Sequence, residues 1–131
     1  MIDELKTIQL GKETYPYICT IGAVEKLQTQ YGNIYEWNKK FIGTDEEGVS
    51  HGYVSAMILE SLDLFLKEGQ AVNEILNGVK KEPPEKEKLS LLMAASGISL
   101  KEAGRMIIRA VDDCFDPNLQ TPNQTETGNT K

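Results

Sequence analysis

Few side chains in this sequence have chemistry to offer: two thiols, Cys19 and Cys114; one imidazole, His51; and two carboxylate runs, Asp45-Glu46-Glu47 and Asp112-Asp113. A structural zinc site needs four ligands at close, familiar spacings, and no CxxC pair occurs, so Cys and His cannot supply one. The thiols could pair with each other. Nothing else points to an oxidising compartment, so two reduced, partly buried cysteines are expected. His51 falls in the polar stretch TDEEGVSHG, residues 44 to 52, with no Ser or Cys nucleophile placeable beside it. It reads as an exposed loop residue, and the carboxylates of the same loop have no cleft implied around them. Asp112 and Asp113 stand at a helix end, where the macrodipole disfavours negative charge. A solvated pair is expected there, with a basic partner as the alternative. Gly97 is followed by Ile98-Ser99-Leu100 rather than the Lys-Ser of a phosphate loop, and no G-x-S-x-G elbow occurs. The expectation is a protein that is not an enzyme and has no cofactor and no metal.

With no reaction to position, the elements are read for what they pack. Over residues 5–18, LKTIQLGKETYPYI, Ile8 and Leu10 alternate with Thr7 and Gln9, and Gly11-Lys12 suits a two-residue hairpin turn. Tyr15 and Tyr17 then share a face across Pro16, which lacks a ladder donor and belongs at a strand edge or end. Ile21, Val24, Leu27, Gln28 and Tyr31 recur at helical spacing. Gly32 falls where a helix stops at positive φ, and Asn33 with Glu36 suggests a capping box that restarts a second helix. Ile34, Trp37 and Phe41 share one face of that helix, and Gly43 ends it. The chain's one Trp thus reads as packing between two helices.

The most apolar segment is YVSAMILESLDLFLKEG, residues 53–69. Val54, Met57, Ile58, Ser61, Leu62 and Phe65 form a wide stripe, which Leu59 and Leu66 widen further. Gly69 is expected to end this helix, and a shorter one to run from Gln70 to Asn77 with Gly78 closing it. Residues 79–88, VKKEPPEKEK, form a charged connector in which Pro83 and Pro84 exclude helix interior. The final helices follow. The first ends near Ser96-Gly97; in the second, Ser99 and Glu102 match a capping box and Leu100, Ala103, Ile107, Ala110, Val111 and Cys114 keep helical spacing. Residues 116–131 carry one Leu and many Thr, Asn and Gln, and read as a disordered polar tail. The fold class is mainly α (α+β): an N-terminal hairpin and a compact bundle of about five helices in one domain over 1–115.

Residues 89–111 also suggest a helix-turn-helix, whose second helix would present Lys101, Arg105 and Arg109. Glu102, Asp112 and Asp113 on that helix oppose them. The whole chain, at 131 residues, has a formal net charge of -6, which disfavours binding to a phosphate backbone. No apolar run approaches the ~20 residues of a spanning helix, and the start MIDELKTIQL lacks a signal-peptide pattern. A soluble, cytoplasmic protein with no membrane and no nucleic acid among its partners is expected, with a helix-turn-helix DNA-binding regulator as the alternative.

The run YPYICTIGAVEKLQTQYGNIYEW, Tyr15 to Trp37, resembles the N-terminal region of tail assembly chaperones from long-tailed bacteriophages and related prophages. The likeness lies in a hairpin, an aromatic-Pro-aromatic step, a helix beginning near IGA, then YG and EW. The later order of apolar middle helix, charged connector, final helix and variable tail is also similar. The resemblance implies a non-enzymatic role in the bacterial host cytoplasm. Such chaperones bind the long helical tape measure protein before the tail tube protein polymerises around it, and are absent from the mature virion. Many relatives also have a longer frameshifted form of themselves as a partner. Helix-in-groove binding of this kind would draw on the broad face of residues 54 to 66. Val54, Met57, Leu59 and Leu66 are therefore the expected partner-binding residues, with Leu59 and Leu66 exposed in the monomer or covered in a homo-oligomer.

Overall fold

The structure, a computed structural model, describes residues 5–116. Strands β1 (Lys6–Leu10) and β2 (Glu13–Tyr17) pair antiparallel, with Ile8 opposite Tyr15 and Leu10 opposite Glu13. That register leaves the two-residue Gly11-Lys12 turn, as the sequence suggests. The turn is docked as well as closed: the Gly11 N–H donates to Ser96 Oγ at 2.6 Å. Pro16 lies in a two-stranded sheet, where every strand is an edge and its missing donor costs no ladder bond.

Five α-helices follow: α1 (Ile21–Tyr31), α2 (Ile34–Phe41), α3 (Ser55–Asn77), α4 (Leu89–Ala95) and α5 (Leu100–Phe115). Thr20 caps α1, its hydroxyl accepting the Ala23 N–H at 3.0 Å. Gly32 at φ 99° then breaks the chain, and Asn33 Oδ1 accepts the Glu36 N–H at 2.8 Å to start α2. Only this half of the expected capping box forms; the Glu36 carboxylate turns instead toward Lys39 Nζ, 3.9 Å away. At α5 both halves form, Ser99 Oγ and Glu102 Oε1 each bonding the other residue's N–H at 3.0 Å.

Helix α3 is the spine against which β2, α1, α4 and α5 pack. Its buried face carries Met57, Ile58, Ser61, Leu62, Phe65, Leu66, Gly69 and Gln70. The core gathers these with Leu10, Leu27, Trp37, Phe41, Leu89 and Ile107. Trp37 stacks on Phe41 with ring centroids 4.7 Å apart, and Phe41 meets Tyr53 at 5.5 Å, so the aromatic segment joins α2 to the start of α3.

Two expectations about α3 and α1 need correcting. Gly69 does not end a helix: α3 runs unbroken for 23 residues to Gly78, and the separate helix over 70–77 does not exist. The glycine is there for closeness, because a Cβ at position 69 would sit 2.4 Å from the Pro16 carbonyl oxygen. Strand β2 lies directly on the helix backbone, and the Ile18 N–H donates to the Phe65 carbonyl at 3.1 Å. In α1 the buried residues are Ala23, Val24 and Leu27, whereas Ile21 is 82% exposed. The apolar face of α1 therefore begins one turn later than its sequence spacing suggests.

The connector over 79–85 has no regular structure, and a single 3-10 turn, Lys86–Lys88, leads into α4. It is pinned rather than free: Lys81 Nζ meets Glu13 Oε1 at 2.7 Å and lies over the Tyr15 ring. The polar tail expected over 116–131 lies outside the described residues, apart from Asp116.

Candidate partner-binding surface

The four residues expected to bind a partner do not form one open face. Val54 is the N-cap of α3 and is exposed. Met57 is buried, Leu59 packs half-buried against the core, and Leu66 is only 1% exposed. The reading that Leu66 lies open is thus corrected: the hairpin, α1, α4 and α5 all pack against α3, and Leu66 is sealed.

The apolar surface instead lies at the other end of the same helix. Residues 58, 62, 65, 69, 72 and 76 keep an alternating spacing of four and three, the register that faces a helix's packing partner. Ile58, Leu62 and Phe65 along this line are buried, and Val72 is half-buried. Leu76, on the same line, is 52% exposed, and its neighbour Ile75 is 83% exposed. The stripe outlasts the body it packs against. Gln70 is the last buried residue, and its Nε2 donates to the Val79 carbonyl at 2.9 Å, folding the returning chain back onto the helix. Val79 is itself exposed, so Ile75, Leu76 and Val79 together form an apolar end to α3.

Ile21 is a further exposed apolar residue, at the start of α1. The Thr20 hydroxyl hydrogen-bonds the Glu68 carboxylate, and a Cβ at Gly22 would lie 3.8 Å from the same group. These contacts seat the start of α1 on α3 at Glu68, about two turns before Ile75. Had the 69–78 segment been read as one helix with the preceding stripe, the continued spacing through Leu76 would have marked this end.

A second exposed feature lies on α5, where Lys101, Arg105 and Arg109 are all exposed at spacings of four. Two of the carboxylates that oppose them in sequence have other bonding partners. Glu102 closes the helix cap, and its bonds to Ser99, with the nearby Arg105 charge, hold its pKa below the usual carboxylate range; Asp113 pairs with Lys6 at 2.7 Å. The remaining helix-turn-helix residues are largely structural: Leu89, Met93, Ala103 and Ile107 are core.

The candidate chemical groups are accounted for individually. His51 is exposed and bonds Asp45 Oδ2 through Nε2 at 2.7 Å. That bond, with the backbone N–H groups of Val49, Glu47 and Gly48, holds the Asp45 carboxyl below its ordinary range. The Ser50 hydroxyl donates to the Ile42 carbonyl, so the loop is closed by its own polar groups. Among the described residues, no group of three or more His, Cys, Asp and Glu is arranged to hold a metal ion, and no helix is long and apolar enough to cross a membrane. Set against protein-family models, curated proteins and solved structures, the chain matches none.

Proposed function

We propose that this protein is a tail assembly chaperone of the long-tailed phage kind, holding a helical segment of tape measure protein through the apolar end of α3. The observation that carries the reading is the continuation of the α3 packing stripe past its own core, to Ile75 and Leu76. A helix lying along that end would cover them, and burying an Ile or Leu side chain fully is worth roughly 1.5–3 kcal/mol. Helix-in-groove recognition works through such spaced apolar anchors. The likeness of Tyr15 to Trp37 to this family supplies the partner's identity. In this reading the contact moves from Val54, Met57, Leu59 and Leu66 to the far end of the helix. A longer frameshifted form and the tail tube protein remain the further partners the family implies.

The test is co-expression with the product of the longest coiled-coil-rich reading frame near this gene. The reading requires that product to become soluble and to co-purify with the chaperone. A tape measure protein equally insoluble with and without it would defeat the proposal.

A DNA-binding regulator is the second reading, favoured by the three exposed cations of α5, Lys101, Arg105 and Arg109, with Asp113 paired to Lys6. It requires duplex binding that weakens steeply with salt and that Arg105→Glu with Arg109→Glu removes.

A further inference from the structure

Helix α5 carries a second stripe, on its outer side. Lys101, Arg105, Ile108, Asp112 and Phe115 follow one another at alternating spacings of four and three, the register of a helix-pairing seam. All five are exposed or half-buried, Phe115 at 55%, while Ala103, Ile107, Ala110 and Val111 turn inward to the core. Among the described residues, none of Lys101, Arg105, Arg109 and Asp112 takes part in an ion pair, whereas Asp113 is held by Lys6. Lys101 with Arg105, and Arg105 with Arg109, are like charges one turn apart, and Asp112 sits in the last turn, against the macrodipole. Each arrangement costs the lone helix stability.

The order of charge along this side matches its own reverse. Lys101 makes one end of the seam positive, and Asp112 makes the other negative. Turned end for end about a two-fold axis between Arg105 and Ile108, the seam sets each Lys101 opposite the partner's Asp112. Each Arg105 stem then lies along the partner's Ile108, with its guanidinium in water. Beside the seam stand Glu102 and Arg109, one heptad apart, which meet across the axis in the same way. Glu102 uses Oε1 in the helix cap, leaving Oε2 for the partner's Arg109.

We propose that the outer side of α5 is a self-association surface, covered by the α5 of a second copy running antiparallel in a two-fold dimer. A two-fold contact must fit a patch to itself. A plain row of cations would repel its copy, whereas this charge order attracts it. A duplex would gain from the three cations but would meet Glu102 and Asp112 on the same side. The surface is separate from the apolar end of α3 and does not rest on the proposed function. Exposed ion pairs contribute little each, and a single pair of short helices buries little area, so the dimer is weak and reversible.

Sedimentation equilibrium of the full chain, over rising concentration at physiological ionic strength, tests this. A reversible monomer–dimer equilibrium is expected. Asp112→Lys faces the partner's Lys101 with a like charge and should raise the dissociation constant at least about tenfold, as should Lys101→Asp. The double variant Lys101→Asp, Asp112→Lys restores opposite charges and should return the constant to near the wild-type value. Both substitutions place the charge that the macrodipole favours at that end of the helix, and thermal melting checks that each variant is folded. Ile75→Glu with Leu76→Glu should leave the dimer as it is. A chain that stays monomeric at every concentration, whether or not it binds duplex DNA, would overturn the proposal. So would a dimer indifferent to Asp112→Lys, a double variant as dissociated as the single ones, or a dimer lost with Ile75 and Leu76.

Discussion

The first half of α3 and its last two turns carry the same kind of residue on the same face, yet their fates are opposite. Ile58, Leu62 and Phe65 are sealed, whereas Leu76 on the same line stands half in solvent. Spacing says which side of a helix is greasy. Whether that side is covered depends on what lies opposite, and opposite the last turns of α3 the hairpin and the other helices have run out. One helix is thus both the spine of the core and, at its end, an exposed apolar surface.

The comparison breaks most visibly in the sealed half. Phe65→Ala removes a fully buried ring and should cost about 3–5 kcal/mol by urea denaturation. A cost below about 1 kcal/mol would mean that the sealed half is not sealed. Gly69→Ala tests the closest approach. Helix propensity alone favours Ala by about 1 kcal/mol. The Pro16 backbone stands in the way of the new methyl, so a net loss of roughly 1–3 kcal/mol is expected instead. A stabilised Gly69→Ala would mean β2 is not held tightly on α3.

A third expectation concerns pH. The Tyr31 hydroxyl donates to Glu60 Oε1 at 2.9 Å, joining α1 to the sealed half of α3. Burial first, then this bond and the carboxylate's charge, push the Tyr31 phenol from 10.0 up to about 12. The folded state therefore holds the phenolic proton more tightly than the unfolded chain does. The stabilisation is complete below pH 10.0 and is lost as pH rises toward about 12. Denaturation at pH 9 and at about pH 11 should show a drop that Tyr31→Phe reduces; equal drops in both proteins would remove Tyr31 as its source. The smallest effect belongs to the open end: Leu76→Ala should change stability by less than about 0.5 kcal/mol. A loss several times larger would show that Leu76 is core after all.

Local signals made much of the fold legible. Gly11-Lys12 and the alternation around Ile8 give the hairpin, and Asn33 and Ser99 give the starts of α2 and α5. What was not legible depends on partners remote in sequence. Gly69 looks like a stop until Pro16 is found lying on it, and that misreading cut α3 in two. The candidate surface of Val54, Met57, Leu59 and Leu66 rests on the breadth of the apolar face over 54 to 66, which does not say what packs on it. The end of the stripe reads as a separate minor helix, and no spacing rule shows that Leu66 is sealed while Leu76 is half exposed. Ile21 misled in the opposite sense, keeping helical spacing with Val24 while projecting away from the core. The Lys6–Asp113 pair, 107 residues apart in sequence, also needs the folded chain to be seen.

The central claim is that the end of α3 is apolar because another helix covers it. Its most direct test is the affinity of the double variant Ile75→Glu, Leu76→Glu for the helical partner that the proposed function requires, with thermal melting measured on the same samples. The account predicts binding weakened at least about tenfold, the equivalent of roughly 1.4 kcal/mol, with an unchanged melting temperature. Undiminished binding by a folded double variant would contradict it.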